Sequence, residues 1–169
     1  MSIANPYMQG PIEVHNIGLR RRVTMASLAV AVILIIAKFT AYRITGSVSV
    51  MTSLLDSIFD ALASTVTMIS VIEAATPADA DHRFGHGKIE ALAAMGQSLF
   101  IFFSAGYLLF ESAHRFFHPQ PVKEAYIGIS VMFLSIILTV LLVAFQRYVI
   151  KRTESVAISA DHLHYKGDL

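Results

Sequence analysis

Two aspartates four residues apart, Asp56 and Asp60, stand in "SLLDSIFDALAS", inside an apolar stretch that runs from Val48 to Ile72. Four residues turn a helix by about 400°, so both carboxylates project from nearly the same face. At the centre of a bilayer each costs about 2.5–3.5 kcal/mol on insertion scales, and like charges at this spacing repel. A proton, a base or a metal ion must compensate them. The closing residues, "DHLHYKGDL", offer His164 and Asp168 at the same spacing and again on one face. Counting along the two stretches places Asp60 about 21 Å and Asp56 about 27 Å from their shared edge, with His164 at about 16 Å and Asp168 at about 22 Å. These depths overlap to within a turn. Three carboxylates and one imidazole between antiparallel helices form a ligand set that suits tetrahedral Zn²⁺. Mg²⁺, which wants octahedral oxygens and retained waters, fits it poorly.

A second cluster lies in "PADADHRFGHGK", where Asp79, His82 and His86 have the spacing D-x2-H-x3-H and Gly85 and Gly87 allow a tight turn. Imidazole and carboxylate ligands this close can hold a divalent transition metal. On spacing alone the loop reads either as such a site or as a solvated turn. His114 and His118 read as interfacial or turn histidines. Lys38, deep in an apolar stretch, either snorkels or pairs with a buried carboxylate. Asp161 and His162 share the last window with His164 but are read as pointing elsewhere.

Helices that cross a membrane must carry these groups. The chain has 169 residues, of which 55% are hydrophobic and only 15% charged, with a mean hydropathy of +0.61. Soluble domains carry roughly 25% charged residues, so the composition predicts an all-α transmembrane helix bundle. Windows of about 20 apolar residues fall near 23–43, 48–73, 89–113 and 125–149, after a segment 1–22. A fifth window, 153–169, is cut short at Leu169, and its 17 residues make only about 25 Å of helix. The chain therefore reads as the front part of a longer protein. Small residues in the third window, Gly96 and Gly106 among them, predict close helix packing.

Basic residues orient the bundle. Arg20, Arg21, Arg22, Arg83, Lys88, Arg147, Lys151 and Arg152 fall on one side, and only Arg43, Arg115 and Lys123 on the other. The excess places the N-terminus in the cytoplasm of a multi-pass protein of the inner (plasma) membrane. No short apolar segment with a cleavage site opens the chain, so no cleaved signal peptide is expected. With no cysteine, thiolate metal sites and disulfides are excluded. HExxH, G-x-S-x-G and the Walker lysine loop are all missing, which excludes those protease, hydrolase and ATPase chemistries. No basic-aromatic pattern points to nucleic acid.

"TGSVSVMTSLLDSIFD", "PADADHRFGHGKIEALAA" and "SADHLHYKGD", in this order, are similar to the cation diffusion facilitator family of divalent metal transporters. The likeness is strongest to its bacterial zinc and ferrous-iron efflux branch and spans nearly the whole chain. It implies six transmembrane helices followed by a cytoplasmic metal-binding domain, assembled as a homodimer. Five of the six helices would fall within this chain, and the cytoplasmic domain would not. The family pattern makes Asp56, Asp60, His164 and Asp168 the transport site and Asp79, His82 and His86 a cytoplasmic-loop site. It also pairs Lys88 with an acidic residue of the cytoplasmic domain.

Ligands must lose their protons to bind a metal, and a free imidazole titrates near about 6.5. Metal and protons therefore compete for the same site. With the direction that the resemblance implies, the expected function is a secondary transporter, not an enzyme: a divalent-metal/proton antiporter that exports Zn²⁺, with Fe²⁺, Cd²⁺ or Co²⁺ as other cargoes. The competing reading is a membrane-bound metal sensor or scaffold, or a fragment that does not transport.

Overall fold

The computed structural model describes residues 11–79, 82–83, 85–118 and 125–169, and within these the regular secondary structure is all α-helix. Five helices follow one another: α1 (Pro11–Thr45), α2 (Val48–Ala74), α3 (Lys88–Phe117), α4 (Ala125–Thr153) and α5 (Val156–Gly167). The first four each contain a stretch long and apolar enough to cross a membrane. This is the all-helical membrane bundle that the composition predicts.

Local chemistry sets the breaks between helices. Gly46 adopts φ +59°, a left-handed conformation that costs a side-chain-bearing residue about 1–2 kcal/mol. It ends α1, and Ser47 in extended backbone begins α2 one residue later. The α4–α5 joint is equally tight. Nothing in "QRYVIKRT" breaks a helix, so α4 runs on to Thr153, a full turn beyond the apolar window. Glu154 then takes the left-handed conformation with φ 49° and donates its N–H to the Ile150 carbonyl, closing the helix end. Ser155 caps α5 by accepting the Ile158 N–H at 3.4 Å. Two residues thus reverse the chain, and α5 returns into the bundle.

α5 packs against α2, α3 and α4, while α1 packs against α2 and α4. The apolar core is small, centred on Val23, Val71, Val149, Ala157 and Ile158. Polar side chains are the more conspicuous buried groups, including Ser27, Ser57, Ser64, Thr67, Gln97, Gln146, Asp161 and His164. Phe102, Phe103, Leu109 and Phe110 of α3 point outward with 70% or more of their surface exposed. Lipid is as apolar as these side chains, so an apolar exterior and a polar interior are stable together there.

The two glycines of α3 do not mediate close packing among the described helices. Gly96 and Gly106 have no heavy atom of another element within 4 Å of where a Cβ would stand. α3 is an outer helix, and its buried contacts come instead from Glu90 and Gln97.

Candidate metal centre

Asp60 projects from the middle of α2 toward α5, which passes it in the opposite direction. The spacing of four along α5 brings both His164 and Asp168 to that side. Each of the three residues offers a ligand atom within 4.8 Å of the other two. His164 Nε2 lies 2.9 Å from Asp60 Oδ1, with both side chains more than nine-tenths buried. A tetrahedral Zn²⁺ with bonds of about 2.0–2.2 Å holds its ligands about 3.3–3.6 Å apart, so a shift of about an ångström would close this group on an ion. Asp168 follows the last helical residue, and its N–H still reaches the His164 carbonyl at 3.3 Å.

Asp56 falls outside the 4.8 Å group. It is half-buried one turn along the same face of α2. There it lines a groove of about 760 Å³ between α2 and α3, together with Ser53, Phe59, Phe100 and Tyr107. The α2 pair is therefore divided: Asp60 faces His164 of α5, and Asp56 lines the groove beside α3.

In the α2–α3 loop, Asp79, His82 and His86 form a second group whose ligand atoms lie within 4.8 Å of one another. Gly85, at φ +75°, turns the chain so that the His82 and His86 rings approach to 4.4 Å between centroids. Asp79 Oδ1 accepts the His82 backbone N–H. His86 is buried, and its Nδ1 has no hydrogen-bond partner among the described residues. Its Nε2 lies 3.8 Å from Asp79 Oδ2 and 3.9 Å from Glu73 Oε1. The loop residues meet as a compact donor set, with Glu73 at its edge.

Two buried networks escaped the sequence reading. The first centres on Asp161, one turn before His164 and only 1% exposed. Its carboxylate accepts hydrogen bonds from Ser64 Oγ at 3.2 Å, Gln97 Nε2 at 3.3 Å and Gln146 Nε2 at 2.8 Å. Ser64 also bonds the Tyr165 hydroxyl at 2.9 Å, and Gln146 donates to Ser27 at 3.1 Å. All five helices meet in this network, which fixes the rotation of α5 and hence the aim of His164. The signal was present in the sequence. Gln97 and Gln146 are strongly polar residues inside apolar windows, and such residues in a membrane core need partners.

The second network ties the α4–α5 joint. Arg20 donates to Glu90 Oε1 at 2.8 Å and to the Thr153 carbonyl, while Ser155 Oγ donates to Glu90 Oε2 at 2.6 Å. Lys38 neither snorkels nor forms an ion pair with a carboxylate among the described residues. It is 8% exposed and donates to Ser57 Oγ at 2.6 Å and the Ser53 carbonyl at 3.1 Å. His114 and His118 stack at the exposed end of α3, 4.9 Å apart.

A multi-pass helical membrane protein with clustered carboxylate and imidazole side chains between its helices is the class that these features define. The sequence profile of the cation efflux transmembrane domain matches residues 24–169, and the chain belongs to that family. The resemblance read from its motifs is thus borne out. Among similar proteins are the cation-efflux pump FieF of Shewanella oneidensis, 46% identical over 85% of this chain and 49% of that one, and FieF of Pectobacterium carotovorum, 45% identical over 88% of this chain and 51% of that one. FieF of Salmonella arizonae is 42% identical over 88% and 49%. The chain spans about half the length of the curated relatives it matches.

Proposed function

We propose that this chain is the membrane part of a proton-coupled exporter of divalent transition metals. The observation that carries the reading is the buried meeting of Asp60, His164 and Asp168 between α2 and α5. Asp56, one turn along α2 and open to the groove beside α3, supplies the fourth ligand when a cation draws the carboxylates together. One imidazole and three carboxylates favour Zn²⁺, and Fe²⁺, Cd²⁺ and Co²⁺ are the nearest competing cargoes. The relatives named cation-efflux pumps support the direction of movement.

Coupling to protons follows from the ligand chemistry. His164 binds metal only as the neutral imidazole, and the carboxylates only when ionised, so protonation and metal occupancy exclude one another. Protons arriving from the outer face expel the ion there. Their loss toward the cytoplasm restores affinity. Asp161 holds α5 in register, which lets the two ligand-bearing helices move as units around the site. Asp79, His82 and His86 form a cytoplasmic-loop metal site, and the basic-residue excess supports a loop and an N-terminus on the cytoplasmic side of the inner membrane. The functional unit is a homodimer surrounded by lipid.

Zn²⁺ flux in proteoliposomes, under an imposed proton gradient, tests the proposal on the full-length protein and on this chain. Metal-loaded vesicles should exchange Zn²⁺ for protons. Asp60→Ala or His164→Ala should abolish binding at the membrane site and leave the loop site intact. Zinc binding without flux under any gradient would make the protein a sensor or scaffold, and normal transport by both variants would remove the ligand assignment.

A further inference from the structure

Lys38 is a cation buried within the apolar length of α1. Its ammonium donates to the Ser53 carbonyl and to Ser57 Oγ. Positions 53, 56, 57 and 60 follow the i, i+3, i+4, i+7 pattern of one helical stripe. Lys38 is therefore docked on the stripe of α2 that carries Asp56 and Asp60, held by the two serines between and beside them. Neighbours at this spacing are about 5–6 Å apart at Cβ, which brings the ammonium within electrostatic reach of both carboxylates without a direct ion pair. A lysine that only needed hydration would have reached toward a bilayer surface. This one is fixed by oxygens that are not ligands in the proposed site.

We infer that Lys38 is a built-in countercharge that sets the net charge of the transport site. The inference rests on the assignment of Asp56, Asp60, His164 and Asp168 as that site. Three carboxylates and a neutral imidazole carry −3, and the fixed ammonium reduces this to −2. One divalent cation then neutralises the site fully. A monovalent ion leaves it negative and a trivalent ion leaves it positive, and net charge within a bilayer is costly. Lys38 also keeps the three carboxylates from holding the ion too tightly to release it. The serines position the charge, and the charge acts through space on the bound ion.

The test is Zn²⁺ titration calorimetry on the full-length protein in nanodiscs, with His82→Ala and His86→Ala removing the loop site. Asp60→Ala in this background defines the membrane-site signal. Lys38→Gln keeps a donor for Ser57 and the Ser53 carbonyl and removes the charge. It should tighten Zn²⁺ binding by at least about tenfold, given one unit charge at such range in a medium of ε about 20, and slow Zn²⁺ release in proteoliposomes. Lys38→Arg, which keeps the charge, should stay within about threefold of the parent. Lys38→Met repeats the neutral arm should the glutamine variant not purify folded. Disturbed packing weakens binding, so a gain of affinity separates a charge effect from a structural one. Unchanged or weaker binding in the neutral variants, beside a parent with an Asp60-dependent signal, overturns the role of Lys38 alone. A parent with no Asp60-dependent signal overturns the site assignment, and the countercharge with it.

Discussion

Removing the Asp161 carboxylate tests whether the buried polar network holds α5 in place. In Asp161→Ala, Ser64, Gln97 and Gln146 each lose an acceptor. None is left wholly bare, because Ser64 keeps Tyr165, Gln97 keeps Thr67 and Gln146 keeps Ser27. The cost is therefore that of three interhelical bonds, the shortest being the 2.8 Å contact with Gln146, rather than of three orphaned donors. Such bonds in membrane proteins are worth about 0.6–1.5 kcal/mol each, so three sum to about 2–4.5 kcal/mol. SDS-driven unfolding in mixed micelles, followed by circular dichroism, measures this directly. A double-mutant cycle with Gln146→Ala should give a coupling energy of about 1 kcal/mol or more. Because the network aims His164, Zn²⁺ affinity at the membrane site should fall as well, while the loop site is untouched. A variant within about 0.5 kcal/mol of the parent, with no coupling to Gln146, would show that α5 is held by its apolar contacts and refute the reasoning.

Glu90→Ala should destabilise the protein by about 1–3 kcal/mol in the same unfolding assay, since it strips Arg20 and Ser155 of a buried charged partner. Gly46→Ala should cost about 1 kcal/mol, because the position has φ +59° and open space, so only backbone strain is added. Gly96→Ala should instead be neutral or stabilising by up to about 1 kcal/mol, as a helical glycine with no neighbour at its Cβ position. Zn²⁺ affinity at the membrane site should rise with pH through about 6–7, since the metal competes with protons for His164 and the carboxylates. A flat profile between pH 5.5 and 8, values chosen to bracket the free imidazole at about 6.5, would contradict ligation by His164.

Much of this architecture is legible in the residues alone, for reasons of cost. Four stretches of apolar residues must become helices in a bilayer, because every backbone polar group has to be satisfied within its own segment. Asp56 and Asp60 announce themselves because a carboxylate in that setting is expensive. The i, i+4 rule places His164 and Asp168 together on α5 with no knowledge of the fold. The loop donors are readable for a similar reason, since Asp79, His82 and His86 lie within one short turn.

Helical phase decides which residues share a face, and composition decides which helices enter a membrane. Neither says which face meets which neighbour. Only the packing of α5 against α2, α3 and α4 separates Asp60, turned toward His164, from Asp56, turned toward the groove. Packing also makes Asp161, which shares the stripe of His164 and Asp168 by helical phase instead of lying off it, the point where five helices are joined, and seats Lys38 on two serines rather than at a bilayer surface. Burial gives these groups their energetic weight, because an unpaired polar atom away from water is costly. A linear spacing carries no record of what surrounds it, so their partners emerge only from the tertiary arrangement.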